Sequence, residues 1–501
     1  MKTKHTLTAA ALFGWAAVAV FSEEITEAQR KKIEQKLAGT YNPLSFYDGK
    51  LIFDVQDRLR FEYRENNFDF NDATDHVTDD AWLLQRFRVG ALYKPTGWLK
   101  FYAQAQDSRE LDSDRPDVPF VVASEGNDTF DLRQAWVEIG DLKQFPLTLK
   151  LGRQELIYGD ERLIGAFDWN NLARTFDAVK IHFEPKGKKF WVDAFYANVV
   201  TMAQNTQTDN CRWQFNESNT RDDFLGVYAS TTLLPLQTTE AYLLYRGKEG
   251  NAPFYSSTTT TPAFGNAPAY DIDQEIWTLG ARVKSTPGKL NGFDYEFEGA
   301  YQFGKADGQS AGAYPGPSSL DHEAFALHLG GGYTFANVWS KPRIGIEYNL
   351  ASGDTNPTDG KNESFLNLFH TNHKFYGYMD VFAWKNLHNP AIQLKFTPYQ
   401  DSLQPFKALT VQLDYHLFWL FTNEDAWYRA NAITRVRPLN AAANNANRNA
   451  GSEFDLTVGY APTKWLKFLA GYSHYFAGDY LTDTGAADDA DFVYVQTIIQ
   501  F

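Results

Sequence analysis

The sequence predicts an all-β protein, a transmembrane antiparallel β-barrel of about eighteen strands with short periplasmic turns and long extracellular loops. Three observations predict it. The connections between candidate strands alternate strictly between short and long. The segments between them alternate apolar and polar residues. Aromatic content is 16%, with 27 Tyr and 39 Phe, which suits strands that need aromatic girdles at two membrane interfaces. The short links include Lys94–Gly97, Gly140–Pro146, Glu184–Lys189, Pro235–Thr239, Thr286–Gly292, Ala336–Pro342, Pro398–Pro405 and Ala461–Lys464. The long ones run from Glu65 to Ala81, Asp107 to Thr129, Glu155 to Thr175, Val199 to Asp222, Gly247 to Ile272, Gly304 to Asp321, Ser352 to Asn389, Phe421 to Gly451 and Ala477 to Ala490. A soluble sandwich has no reason to sort its loops this way.

A spanning strand needs about 9–11 residues with one face to lipid and the other to the lumen. Phe293, Tyr295, Phe297, Tyr301 and Phe303 share one face, and Asp294, Glu296, Glu298 and Gln302 share the other. Trp277, Leu279, Ala281 and Val283 oppose Thr278, Arg282 and Lys284. Leu409, Val411, Leu413, Tyr415, Leu417 and Trp419 oppose Thr410, Gln412, Asp414 and His416. Ile344, Ile346, Tyr348 and Leu350 oppose Arg343, Glu347 and Asn349. The first strand departs from the rule, because Asp57 falls on the face of Phe53, Val55, Leu59 and Phe61. A bulge or an interfacial position would resolve it. The mean hydropathy of −0.43 is compatible with a barrel, whose alternation averages out.

Residues 1–22 read as a secretory signal: Lys2 and Lys4, a short apolar Leu7–Phe21, and cleavage after Ala17-Val18-Ala19 or Val20-Phe21-Ser22. The bland alternative is a buried N-terminal helix. Residues 23–50 form a periplasmic or lumenal segment with a short charged helix over Glu23–Gly39, and 51–501 the barrel. Cys211 is the only cysteine, so no intrachain disulfide forms. Asp491–Phe501 alternates and ends on Phe, with Thr497 interrupting an otherwise apolar face.

A barrel of about eighteen strands encloses an aqueous lumen unless loops fill it, so its inward residues carry the function. Arg58, Arg60, Arg64, Arg86, Arg88, Lys100, Lys150 and Lys180 point there, and later Arg282, Lys284, Arg343 and Lys395. A ring of cations in a confined pore concentrates anions and selects by sign. The chain as a whole carries net −15, so this basic wall is not a by-product of a basic composition. Asp54, Glu62, Glu138, Asp193, Asp294, Glu296, Glu298 and Glu347 also point inward. The competing reading is that the arginines are paired across strands and brace the wall.

The stretch Leu149–Phe183 contains Gly152-Arg153-Gln154-Glu155, Tyr158-Gly159-Asp160 with Arg162-Leu163, and Asp168-Trp169 followed by Arg174 and Phe176-Asp177. Upstream lie Gln85-Arg86-Phe87-Arg88 and Gln104-Ala105-Gln106-Asp107-Ser108-Arg109, and downstream, more weakly, His373–Asp380. Together these resemble the alginate export family, the outer-membrane channels that secrete alginate. The resemblance implies an eighteen-stranded monomeric barrel with an arginine-lined, electropositive pore. It also implies an anionic uronate polymer as cargo, moved by diffusion without catalysis; the resemblance of the last strand to those of outer-membrane barrels in general implies that its final Phe is read by barrel-assembly machinery. The candidate pore-lining, anion-selecting residues are therefore Arg58, Arg60, Arg86, Arg88, Lys100, Lys150, Arg153, Arg162, Arg174, Lys180, Arg282 and Lys284. Asp160, Asp168 and Asp177 are candidates for bracing the Glu155–Thr175 link as it folds inward and narrows the pore. The alternative is an exterior loop held by the same pairs.

Other motifs carry less. Gly308–Gly312 spells a nucleophile elbow but lies in a Gly/Pro/Ser-rich loop without the strand and helix that motif needs. His322, Glu323 and His328 lack zinc-protease spacing, and His370 and His373 lack further metal partners. Asp69, Asn71, Asp75, Asp79 and Asp80 lack the glycine and terminal glutamate of an EF-hand. Asn440–Asn449 reads as loop. No cofactor, metal, nucleic acid or enzymatic activity is called for. The expected partners are an anionic polysaccharide or small anionic solute, outer-membrane lipid and the barrel-assembly machinery. The expected location is the outer membrane of a Gram-negative bacterium. The alternatives are a porin importing small organic acids or sugars, and a structural anchor or barrel enzyme.

Overall fold

Eighteen strands close into one antiparallel barrel in the computed structural model, which describes residues 44–73, 78–114, 127–201, 215–249, 273–307, 319–399, 409–437 and 441–501. The expected signal segment, Cys211, Asp75 and Gly308–Gly312 lie outside the described residues. The strands are β1 Leu51–Glu65, β2 Asp80–Tyr93, β3 Leu99–Leu111, β4 Asp128–Ile139, β5 Leu147–Gln154 and β6 Phe176–Phe183. They continue as β7 Phe190–Thr201, β8 Glu217–Thr231, β9 Gln237–Lys248, β10 Gln274–Ser285, β11 Phe293–Ala306 and β12 Leu320–Thr334. The last six are β13 Arg343–Ala351, β14 Leu387–Phe396, β15 Leu409–Leu420, β16 Asn449–Tyr460, β17 Leu466–Ala477 and β18 Ala490–Gln500.

Each strand pairs with its neighbour in sequence, and β1 pairs with β18 from Gln56↔Gln500 to Glu65↔Asp491. That closure leaves no sheet edge, as a lipid environment demands. The C-terminal residue takes part: Phe501 N donates to Val55 O at 2.9 Å, and its ring stacks with Trp465 at 6.0 Å. No helix among the described residues is long and apolar enough to cross a membrane, so crossing falls to the strands.

The period-two alternation sorts the faces. Leu59, Phe61, Phe87, Val89, Leu279, Phe297, Ile346, Ile392 and Val495 are exposed on the outer face. Arg58, Arg60, Arg86, Thr278, Glu298 and Gln302 are buried on the inner one. Asp57 stays outward without any bulge in the β1–β2 register, and Gln85 on the neighbouring strand donates to it at 3.1 Å.

Among the described residues three long links fold into the lumen: 155–175, 352–386 and, of the link after β15, 421–437 and 441–448. They fill part of it with a continuous core that includes Leu163, Ile164, Phe369, Tyr376, Trp384, Trp427 and Phe382. Phe68 and Phe70 of the β1–β2 link join them. The links are stitched to one another by backbone. Phe369 N donates to Leu163 O at 2.8 Å, Gly165 N to Phe369 O at 2.7 Å, and Thr371 N to Glu161 O at 2.9 Å. The contact is close because residue 165 is glycine: a Cβ there would lie 2.5 Å from Thr371 Oγ1.

Candidate functional site

The 155–175 loop is held against the inner wall of β1–β3 by arginines that meet backbone carbonyls. Arg58 Nη1 donates to Asp168 O at 2.8 Å and Trp169 O at 3.0 Å, while its Nη2 reaches Asn171 Oδ1 at 2.9 Å. Arg60 donates to Trp169 O at 2.6 Å and pairs with Glu62 at 2.5 Å. Arg86 donates to the Asp168 and Asn170 carbonyls at 3.0 and 3.2 Å. The Asp168 carboxylate takes ion pairs from Arg86 at 3.1 Å and Arg88 at 2.8 Å. Gln106 and Ser108 of β3 donate to Leu172 O and Asn171 O, both at 2.9 Å. Three non-glycine residues of the loop, Glu161, Phe167 and Ala173, sit at positive φ. Such conformations persist only where the surroundings over-determine them, and these bonds do so.

Asp168 is the electrostatic centre of the contact. Burial alone would raise its pKa, but Arg86, Arg88, Arg58 and Arg133 reverse that and hold the carboxyl well below the usual range. Its side chain is nevertheless 54% accessible, so it presents a charge-compensated face to the lumen. Trp169 beside it is sandwiched, with the Arg60 guanidinium 4.0 Å from its ring on one side and the His373 ring stacked at 3.7 Å on the other.

The candidate residues thus separate into groups. Arg58, Arg60, Arg86 and Arg88 are buried beneath the loop, at 2%, 0%, 0% and 6% exposure. Arg162 is also buried, against His328 at 3.0 Å, Glu298 at 3.7 Å and the Phe375 ring at 3.9 Å. Arg174 donates to Gly165 O and His370 O at 3.2 and 3.0 Å. These six act on loop backbone, aromatic rings and neighbouring side chains, not on an open pore. Asp160 joins the loop to the far wall, pairing with Arg282 at 2.7 Å and with Lys284. Arg282 also meets Glu240 at 2.5 Å and Glu296 at 3.0 Å.

Two expectations need correction. Arg153 and Asp177 pair at 3.0 Å, but on strands: β5 continues through Gln154 and β6 begins at Phe176. By alternation Arg153 shares the face of Leu149 and Leu151, and Asp177 that of the exposed Val179 and Ile181. Both point outward, so Arg153 does not line the pore and Asp177 does not brace the loop.

What stays open on the basic wall is a row of lysines. Lys100, Glu138, Lys150 and Lys180 stand side by side in register across β3–β6. Lys100 pairs with Glu138 at 2.5 Å and keeps 36% of its side chain accessible; Lys180 reaches Asp193 at 3.4 Å and keeps 22%. Lys150 has no carboxylate at ion-pair distance among the described residues, and its ammonium caps the Trp136 ring at 3.9 Å. Sequence reasoning missed Trp136, although its inward place beside Glu138 follows from alternation. On the opposite side of the ring, Glu347 of β13 and Asp414 of β15 have no Lys or Arg at ion-pair distance among the described residues. No group of three or more metal-ligating side chains was found among the described residues.

A family model described as alginate export matches residues 50–495. The chain belongs to the alginate export family. No curated protein sequence matched it. The fold is shared with solved barrels at low identity. Pseudomonas aeruginosa OpdK, solved with vanillate, superposes with a TM-score of 0.54 at 11% identity, over 90% of this chain and 98% of that one. Pseudomonas aeruginosa OccK11 (OpdR) gives 0.52 at 12%, covering 92% and 99%. Acinetobacter baumannii OccAB4 gives 0.51 at 13%, covering 90% and 98%. Family and fold together make the chain an outer-membrane channel barrel.

Proposed function

We propose that this barrel passes anionic saccharides passively, and that its cargo is an alginate-like uronate polysaccharide moving outward. Family membership supports the uronate, and the lysine row Lys100–Lys150–Lys180 carries the preference for anions. Among the described residues the ion pairs of the row are Lys100–Glu138 and Lys180–Asp193. A carboxylate passing the row exchanges its water for ammonium contacts at several successive points, which favours it over a neutral sugar without trapping it. The arginines serve this indirectly, by fixing the loop that narrows the lumen.

A second reading, uptake of small organic acids or short sugars, draws on one observation. Three loops are packed inside the barrel around fully buried Trp384, Trp427 and Tyr376, which suits small permeants better than a polymer. Current block in planar bilayers separates the two. The polymer reading expects block that strengthens with the length of added oligouronates while neutral oligosaccharides have no effect. Block by monouronate and benzoate alone, with no response to longer chains, would turn the assignment to the porin reading.

A further inference from the structure

The outer face of β13–β15 carries a cavity of about 260 Å³ lined by Tyr348, His388, Pro390, Trp419, Leu420 and Arg448. Its origin is local and chemical. β14 pairs with β15 at His388↔Trp419 and resumes at Ala391↔His416, so Asn389 and Pro390 drop out of the ladder. Proline has no N–H to donate and is tolerated in a sheet only where a bond is dispensable. The carbonyl of Leu417 is served instead by the Asn389 side chain, whose Nδ2 donates to it at 3.0 Å. The two strands are thereby held together while a gap opens on the lipid side.

The position along the strands is equally informative. Ala351, Leu387, Leu420 and Asn449 are strand ends on the long-loop rim, the outward-facing rim of such a barrel. Below the cavity the outer face is apolar, with Ile346, Ile392 and Tyr415 exposed on β13, β14 and β15. Above it stands Arg448, exposed, donating from Nη1 to Phe421 O at 2.8 Å and with no carboxylate at ion-pair distance among the described residues. His388 is fixed by the Tyr348 hydroxyl at 2.7 Å from its Nδ1 and by the Phe421 ring stacked at 5.4 Å. In the tautomer whose Nδ1 accepts the tyrosine proton, the ring N–H is at Nε2.

We infer that this cavity is a binding site for a phosphorylated lipid of the outer leaflet. Its phosphate headgroup meets the Arg448 guanidinium and the His388 N–H, and its chains lie along Ile346 and Ile392. The charge is matched by a planar donor suited to phosphate, and the level by the girdle residues Trp419 and Tyr348, aromatic residues of the kind that mark a membrane interface. A free anion would use the arginine but would gain nothing from the apolar floor.

Native mass spectrometry of the full chain in detergent tests this, with diphosphoryl lipid A and its dephosphorylated form as probes. One equivalent of diphosphoryl lipid A should be retained roughly tenfold more tightly than the dephosphorylated form, the size of one charge-assisted hydrogen bond. Arg448→Ala should remove that difference, with Arg448→Gln as a second variant that keeps polar bulk. Both should still show heat-modifiable gel mobility as a folding check. Trp339→Ala, at a turn on the opposite rim and 74% exposed in the parent, should leave the preference intact. Equal retention of the two lipids by the parent would overturn the proposal. So would an Arg448→Ala variant that still discriminates, or displacement of the lipid by inorganic phosphate alone.

Discussion

Two basic patches on the same inner wall do different work. Arg58, Arg60, Arg86 and Arg88 lie at 0–6% exposure beneath the inward loop, bonded to Asp168, Trp169 and Asn170. Lys100 and Lys180 keep 36% and 22% of their side chains accessible, and between them Lys150 caps a tryptophan. The residue types explain the division. A guanidinium offers several donors in a rigid plane and can hold two carbonyls and a carboxylate at once. An ammonium on a flexible stem makes weaker, exchangeable contacts suited to a passing solute. Positive charge counted along a barrel wall therefore does not measure what a permeant meets. The fraction left uncovered does.

The largest effects are expected at the arginines. Arg86→Ala removes one of the two ion-pair partners of Asp168 and the donor to the Asn170 carbonyl, while Arg58 still serves the Asp168 carbonyl. The expected loss is on the order of 2 kcal/mol, below the fully buried case because Asp168 is 54% accessible. Protease cleavage within 155–175 and a lower thermal midpoint would report it, while anion preference should survive. Gly165→Val attacks the same loop from its other side. With a Cβ 2.5 Å from Thr371 Oγ1, overpacking of about 1–3 kcal/mol should part the two loops, raising single-channel conductance.

The lysine side predicts the converse. Replacing Lys100, Lys150 and Lys180 together by Ala should lower the anion-to-cation permeability ratio several-fold, with little change in thermal midpoint because partly exposed pairs contribute about 0–1 kcal/mol each. Acid should spare the loop. The folded pKa of Asp168 is depressed, so its contribution is fully present above the unfolded value of about 4 and is lost only as pH falls through the lower folded value. Protease protection of 155–175 should hold from pH 7 to pH 4. The smallest effect is expected from Arg153→Ala on the outer face, where channel selectivity should not move.

The barrel was legible because its rule is local. Period-two alternation assigns Phe293–Phe303 and Leu409–Trp419 to faces without knowledge of any partner, and link lengths assign the rims. The same rule carried one step further would have placed Arg153 outward beside Leu149 and Leu151. Grouping Arg153 and Asp177 with the Glu155–Thr175 link, which they only flank, overlooks that alternation. The arginine contacts were not legible. Arg86 meets Asp168 across 82 residues of chain, and nothing local in either segment says that a carbonyl, and not a solute, will fill the guanidinium. Nor does strand periodicity show that Trp169 stacks on His373, since both belong to links whose course is set by packing inside the lumen.

The most direct test is the reversal potential of single channels under a KCl gradient, compared between the parent and the Lys100/Lys150/Lys180→Ala triple variant. The parent should show an anion-preferring potential that collapses toward zero in the triple variant. A parent without preference, or a triple variant with the parent's potential, would contradict this expectation.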